Sequence, residues 1–264
     1  MLNAEQITEK ATLETVTAIH HWTETLFSFK TTRPNGYVFT PGQYARLGLS
    51  DERGPLWRAF SITSAPGQPY LEFFAIEVES GAFSAMLKKL KEGDPIGIEK
   101  QSYGFMTADR FSDGEDLWML ATGTGLGPYI SIVQDPTVWE RFSNLIVVHC
   151  VRHANELAYQ EQLLALKEKS PFNSLSAKLQ LIQTVTREES TTYHPVRLHG
   201  RITTLLENGA LEKHAGLPIT VASSRIMICG NPQMIDDTRR ILHKRGLNPC
   251  RRVLPGQFVT ENYW

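Results

Sequence analysis

The sequence predicts two domains, an N-terminal antiparallel β-barrel followed by a C-terminal α/β domain with a doubly wound parallel sheet. Three observations carry this prediction. The chain has 264 residues, more than a single small core usually organises. Over residues 11–101, short β-branched and aromatic runs are separated by turn residues, with one helix among them. Beyond residue 116, continuous apolar runs alternate with helical stretches, which is the pattern of strands covered on both faces.

In the first half, residues 25–32 alternate around Leu26, Phe27 and Phe29, and residues 37–49 are interrupted by Pro41 and Gly42. Strands at 57–63 and 70–78 are joined by the turn Ser64-Ala65-Pro66-Gly67. A helix is expected over 83–91, with Phe83, Leu87 and Leu90 on one face, Ser84 near its start and Gly93 just past its end. Closely spaced strands with a single helix fit a small closed barrel. The polar segment DRFSDGED, residues 109–116, marks the boundary, which we set between 1–110 and 111–264. After it, strands at 117–121, 145–151, 179–185 and 225–229 alternate with helices at 128–133, 156–169, 202–207 and 233–245. A short run after residue 251 ends on Asn262, Tyr263 and Trp264.

Composition narrows the function classes. With 27 basic and 28 acidic side chains the net charge is -1, so no global field marks nucleic acid or an anionic membrane as partner. Cys150, Cys229 and Cys250 form no CxxC pair and are too few for a disulfide scaffold or a four-thiolate cluster. No run of about 18 apolar residues occurs, and the first residues lack an apolar signal core. The expectation is a reduced, cytoplasmic, monomeric protein. No metal site is expected: His149 and His153 are four apart but bracket a strand end without an acidic motif. No GxSxG elbow supports a serine hydrolase.

The segment Thr122-Gly123-Thr124-Gly125-Leu126-Gly127-Pro128-Tyr129 directly follows the first strand of the second half and opens a helix. Glycines at such a turn let backbone N–H groups approach a pyrophosphate, and Pro128 suits a first helical turn. The spacing is GxGxG, not the full dinucleotide fingerprint, so a plain tight turn would account for the motif alone. The next strand runs into Arg152 and His153 where an NAD site would carry an acid, which favours a 2'-phosphate and hence NADP. Arg187 and Arg201 would complete a guanidinium cluster around one dianion; three solvated surface arginines are the plainer account.

The motifs Pro41-Gly42-Gln43-Tyr44, Arg58-Ala59-Phe60-Ser61, the glycine loop, Cys229-Gly230-Asn231-Pro232-Gln233-Met234 and the terminal Tyr263-Trp264 occur in an order that resembles the ferredoxin-NADP reductase superfamily. The likeness is to the short bacterial ferredoxin/flavodoxin-NADP reductases and covers nearly the whole chain. It implies a six-stranded FAD barrel and a following NADP domain. Arg58 would pair with the FAD pyrophosphate, Phe60 would stack on the flavin, and Ser61 would bond near N5. Ala59 belongs to the same strip. Phe74, Ala75 and Ile76 would line the cofactor with backbone groups, and Ala82, Phe83 and Ser84 would bring a helix start to the phosphates. Thr124 would touch the flavin side of the loop. The family usually has Tyr where this chain has Phe60, so the stack is kept and a hydroxyl bond is lost.

The resemblance also places Tyr263 over the isoalloxazine and Trp264 on the adenine. Cys229 would lie beside the nicotinamide as a positioning group, and Glu261 would assist proton movement or orient the nicotinamide, unless it is a solvated tail carboxylate. NADP would be held by Val151, Arg152, Thr186, Arg187 and Arg201, with Gly230, Asn231, Pro232, Gln233 and Met234. The implied activity is hydride exchange between NADPH and FAD N5, then one-electron transfer to or from ferredoxin or flavodoxin. Two alternatives stay open: a flavin, quinone or oxygenase-feeding reductase of the same fold, and a non-catalytic flavin- or nucleotide-binding module. Two basic clusters, one of Lys88, Lys89 and Lys91 and one of Arg239, Arg240, His243, Lys244, Arg245, Arg251 and Arg252, are either solvated helix ends or a dock for an acidic carrier.

Overall fold

The computed structural model describes residues 7, 9–79, 81–188, 198–251 and 254–262. Its first half is built from β1 (Ala11–His21), β2 (Leu26–Thr32), β3 (Tyr44–Asp51), β4 (Gly54–Ser61), β5 (Tyr70–Ile76), helix α1 (Ala82–Leu87) and β6 (Pro95–Glu99). The strands are ordered β4-β3-β6-β1-β2-β5, with antiparallel neighbours throughout. A bridge between Ile62 and Phe73 joins the two ends of that order and closes the barrel. Strand β1 serves two neighbours, pairing β6 through residues 11–15 and β2 through residues 16–21, with a register shift between Val16 and Ala18. Such a bulge bends a strand sharply enough to turn a barrel corner. Inside, Val16, Phe29, Ala45, Leu47, Phe73 and Ile96 form the centre of the core, the inward half of each strand's alternation.

The second half comprises β7 (Asp116–Thr122), α2 (Gly127–Val133), α3 (Pro136–Arg141), β8 (Asn144–Val151), α4 (Gln160–Leu164), β9 (Lys178–Val185), β10 (Leu198–His199), α5 (Ile202–Glu207), α6 (Ala210–Ala215), β11 (Ser224–Gly230), α7 (Pro232–Lys244) and β12 (Phe258–Asn262). All six strands are parallel, in the order β10-β9-β8-β7-β11-β12. The chain leaves β7 toward β8 on one side and returns on the other side through β11, so the crevice between the carboxyl ends of β7 and β11 is the topological switch point where such sheets bind ligands. Two apolar layers cover the sheet, one holding Met119, Val147 and Met227 and the other Leu120, Val148 and Ile228. Both faces of each strand are therefore buried, which explains the continuous apolar runs.

Two helices depart from the sequence expectation. The helix expected over 83–91 is only α1, because after Lys88 the backbone bonds tighten to i→i−3, Lys89 N–H to the Met86 carbonyl at 3.1 Å and Leu90 N–H to that of Leu87 at 3.2 Å. The helix expected over 156–169 is broken into a 3-10 turn, α4 and a second 3-10 turn. Tyr159 has φ 59 and lies between them, so no helix can run through it. Helices α3 and α6 are additional elements, each short, that sequence periodicity did not isolate.

Candidate functional site

The glycine loop follows β7 as a 3-10 turn over residues 123–126 and leads directly into α2, whose first turn contains Pro128. Glycine is required at Gly125, where a Cβ would lie 2.5 Å from the Cys229 carbonyl oxygen. Gly230 has φ +134, and a Cβ there would collide with Thr122 Oγ1. Those two close approaches seat the loop against the end of β11. At Gly123, by contrast, φ is +53 and a Cβ would meet nothing within 4 Å, so one side of the loop is open. The Asn231 N–H donates to Thr122 Oγ1 at 2.8 Å, and Asn231 Oδ1 accepts from the N–H groups of Gln233 and Met234 to cap α7. The switch point is thus built from interlocked backbone, with Asn231 and Gln233 exposed at its rim and Met234 buried behind it.

Register places the three strand ends beside one another. Cys229 pairs with Ala121 on one side and with Glu261 on the other. Cys229 is fully buried, and burial, with the nearby Glu261 charge, lifts its thiol well above the ordinary value. Such a thiol stays protonated and is a poor nucleophile. Glu261 is half-buried, and burial raises its carboxyl from 4.5 to about 7. Its Oε2 reaches the barrel, 3.3 Å from where a Gly104 Cβ would stand. Cys150, inside β8, is a second buried thiol, raised to about 11 mainly by burial.

On the phosphate side, Arg152, Thr186, Arg187 and Arg201 all fall at the carboxyl edge of the sheet. The Thr186 and Arg187 N–H groups donate to the Val151 and Arg152 carbonyls at 3.1 and 3.0 Å, so the tips of β8 and β9 are stitched together. The buried Val151 lies under this stitch. Arg152 is held by Glu156, with Nη2 at 2.7 Å from its carboxylate. Burial works against the Glu156 charge, but hydrogen bonds and charge from Arg152 outweigh it and hold the group below its ordinary value. Among the described residues Arg187 and Arg201 carry no ion pair and are exposed.

On the barrel side, Arg58 and Ala59 are exposed, Phe60 is half-buried and Ser61 is buried at the end of β4. Among the described residues the Arg58 guanidinium meets only its neighbour's carbonyl, that of Trp57, at 2.9 Å. Phe60 leans on Phe83 from α1, with ring centroids 5.6 Å apart. Phe74 and Ala75 are buried in β5 and Ile76 is half-buried. Ala82 starts α1, while the Ser84 hydroxyl is used locally, accepting from the Val78 N–H at 3.1 Å. Thr124, at 3% exposure, sits in the turn that packs on β5. The Ser131 hydroxyl donates to the Ser64 carbonyl at 2.8 Å and Gln134 Nε2 to that of Thr63 at 3.0 Å, so α2 is bonded to the turn between β4 and β5. Tyr263 and Trp264 lie outside the described residues.

The residues present suit a dinucleotide flavin and a nicotinamide nucleotide. An unpaired cation beside an aromatic face on an open barrel strand matches a pyrophosphate with an attached ring system. An open-sided glycine turn at a switch point, in a sheet whose carboxyl edge also carries Arg187 and Arg201, matches a second phosphorylated ligand. A separate cavity of about 290 Å3 is lined by His20, Trp22, Lys30, Glu72, Tyr159 and others, and it includes none of the predicted site residues. Of the second basic cluster, Arg239, Arg240 and Arg245 pair with Asp236, Asp237 and Glu212, while Arg252 lies outside the described residues. Among the described residues no group of three metal-ligating side chains occurs, and no helix is long and apolar enough to cross a membrane.

Sequence reasoning weighed His149 only as a metal ligand and overlooked Ser131, Gln134, Tyr159 and Arg225, all of which shape the site or its supports. Their only sequence signal was a polar or bulky residue inside an otherwise apolar segment.

Comparison with known proteins bears on the same arrangement. The family described as the oxidoreductase NAD-binding domain matches residues 119–240. The chain is 40% identical to the ferredoxin–NADP reductase of Azotobacter vinelandii over 253 residues, covering 94% of this chain and 96% of that protein. It is 38% identical to the flavodoxin/ferredoxin–NADP reductase of Escherichia coli K12, with 94% and 97% covered. A crystal structure of a ferredoxin NADP+ reductase from Neisseria gonorrhoeae, with FAD and NADP bound, superposes with a TM-score of 0.89 at 36% identity, covering 97% of this chain and all of that one.

Proposed function

This chain belongs to the ferredoxin–NADP reductase family, and on that footing we propose that it exchanges hydride between NADPH and a bound FAD and passes electrons singly to or from a ferredoxin or flavodoxin. Bound FAD supplies the conversion between a two-electron hydride and single electrons. The observation that carries the reading is the meeting of β7, β11 and β12, where Cys229 lies in register with both Ala121 and Glu261 at the switch-point crevice.

Each residue's part follows from its placement. Arg58 neutralises the FAD pyrophosphate, and Phe60, backed by Phe83, offers a ring face for stacking. Ser61 and the backbone of Phe74, Ala75 and Ile76 orient the flavin edge, with Ala82, Phe83 and Ser84 shaping the phosphate end and Thr124 closing from the loop side. The part of Tyr263 and Trp264, which lie outside the described residues, rests on the family resemblance alone. Cys229 fills the space beside the nicotinamide and excludes water. Glu261, with its carboxyl near neutrality, holds or releases a proton at the crevice. Gly230, Asn231, Pro232, Gln233 and Met234 form the nicotinamide-side wall, while Val151, Arg152, Thr186, Arg187 and Arg201 grip the 2'-phosphate. Arg187 and Arg201 are the open partners, while Arg152 also holds Glu156 through Nε and Nη2.

We place the domain boundary between residues 110 and 111, ahead of Asp113, which is tied to Arg225 on β11. For the carrier, we infer docking through exposed cations such as Lys89 and Lys91 rather than through α7, whose Arg239 and Arg240, like Arg245 at its end, are paired with nearby acids.

An anaerobic absorption spectrum of the purified protein, titrated separately with NADPH and NADH, tests the reading. Flavin bands bleached preferentially by NADPH are expected, with a carrier-reduction rate that falls steeply as salt is added. A colourless protein that takes up no FAD refutes it.

A further inference from the structure

The alternation of β8 sends Ile146, Val148 and Cys150 into one apolar layer and Leu145 and Val147 into the other, which also holds Leu126 and Tyr129. His149 therefore points to the face on which the glycine loop lies, and it is 1% exposed there. Its Nε2 stands 3.1 Å from the Gly123 carbonyl oxygen. A carbonyl only accepts, so the imidazole carries its proton on Nε2. Nδ1 is buried and meets no hydrogen-bond partner among the described residues, which suits the bare acceptor nitrogen of that tautomer. Burial holds the ring down to about 4, against the opposing bond to Gly123, so it stays neutral.

We propose that His149 is a positioning residue for the nucleotide reaction: by anchoring the Gly123 carbonyl inward, it fixes the peptide at the mouth of the glycine loop in the orientation that receives the nicotinamide nucleotide. Sterics do not fix that peptide, since Gly123 has φ +53 and open space where a Cβ would be. In a trans peptide the C=O and the following N–H point in opposite directions. Holding the Gly123 oxygen on His149 aims the Thr124 N–H away from the imidazole and out of the sheet. One residue earlier, Thr122 Oγ1 is held from the other flank by the Asn231 N–H at 2.8 Å. The root of the loop is therefore pinned from both strands that border β7, by a neutral donor on β8 and by a backbone donor after β11. Neutrality matters because an imidazolium here would bury a second N–H with no acceptor.

This rests on the reading of the loop as the nucleotide site, and the experiments separate the two. The holoenzyme is titrated with NADP+ while the flavin difference spectrum is followed, and steady-state rates are measured with NADPH and ferricyanide. Wild type, His149→Leu and His149→Gln are compared; the glutamine Nε2 lies the same number of bonds from Cβ as the imidazole Nε2. Losing the anchor is expected to raise KM for NADPH and the NADP+ Kd about tenfold in His149→Leu, with kcat within about threefold of wild type. His149→Gln is expected to return both constants to within about threefold of wild type. A leucine variant with wild-type NADP+ affinity, or a folded glutamine variant as impaired as the leucine one, overturns the proposal. Imidazole nitrogen shifts of the wild-type holoenzyme supply a readout that needs no variant. The Nε2–H tautomer is expected from pH 6 to 8, with a resonance that moves when NADP+ binds; an Nδ1–H tautomer, or no movement, overturns the proposal. A wild-type holoenzyme with no NADP+ difference spectrum overturns the nucleotide reading, and this proposal with it.

Discussion

The Tyr159 hydroxyl donates to Glu72 Oε1 at 3.0 Å, a bond from the loop before α4 to barrel strand β5. The same ring lies 4.8 Å from Trp22 and 5.2 Å from Phe74, both barrel residues. One side chain of the α/β domain is thus packed and bonded into the barrel wall. With Ser131 and Gln134 bonded to the turn after β4, it ties the two domains together.

Removing that hydroxyl has a pH-dependent cost. Burial raises the Glu72 carboxyl above its ordinary value, while the Tyr159 bond, with Lys30 and His20, favours the charged form. A carboxyl raised on folding weakens stability as pH rises through its folded value, and the Tyr159 bond offsets part of that loss. Tyr159→Phe should therefore lower stability by about 1–3 kcal/mol at pH 8 and by much less at pH 4, where Glu72 is protonated. Thermal melts at the two pH values check this, and equal losses would refute it.

Glu261 is raised to about 7 by burial. Below 4.5 it is neutral in both folded and unfolded states, so its penalty is absent there; it grows between 4.5 and about 7 and is complete above. Glu261→Gln should accordingly gain stability at pH 8, by up to roughly 3 kcal/mol, and gain little at pH 4. If the carboxyl also moves a proton during turnover, the bend near pH 7 in the rate profile disappears in the same variant.

The glycines of the loop are not equivalent. Gly125→Ala puts a methyl 2.5 Å from a backbone oxygen that cannot move without displacing β11. It should cost on the order of 3 kcal/mol and abolish NADP+ binding. Gly123→Ala meets only the penalty of positive φ, about 1 kcal/mol, and should fold with weakened nucleotide affinity. Chemical denaturation of the pair ranks them, and a milder effect at Gly125 would contradict the packing.

Arg225 is 2% exposed on β11 and bonds Asp113 at 2.6 Å, in the segment joining the two domains. Its Nη1 also donates to the Ser224 and Val221 carbonyls at 2.6 and 3.1 Å. Asp113→Asn keeps a partner and should be tolerated, whereas Arg225→Ala removes a buried cation from three acceptors. About 3 kcal/mol should be lost, from carbonyls left without a donor and from the space the buried side chain vacates. Urea denaturation of both variants decides the point.

Much of this was legible in the sequence because local signals agreed with the fold. The apolar runs at 117–121, 145–151 and 225–229 could be buried only by helices on both faces, and they became β7, β8 and β11. The glycines of residues 123–127 forced a strand-to-helix turn wherever the sheet placed it. The order of weak motifs, from the RAFS strip to the CGNPQM turn, identified the family, and comparison at 40% identity bears that out. Charge was less legible: the basic run on α7 is neutralised by acids one turn away and, at Arg245, by Glu212 on α6.

The sequence by itself determined the central strands of the second sheet, which turns must hold glycine, and which family's chemistry the chain carries, because each of these depends on residues close together along the chain, whereas β1, β6 and β10 were not singled out. Tertiary structure alone decided where helix 156–169 would break and which side chains would hold the loop. Tyr159 accepts a left-handed backbone because its ring and hydroxyl find partners in the barrel, more than eighty residues away. His149 becomes the loop's anchor only because parallel pairing of β7 with β8 sets Ala121 opposite it and brings the Gly123 carbonyl within a hydrogen bond. Contacts so far apart in sequence leave no periodic trace, and only the packed sheet reveals them.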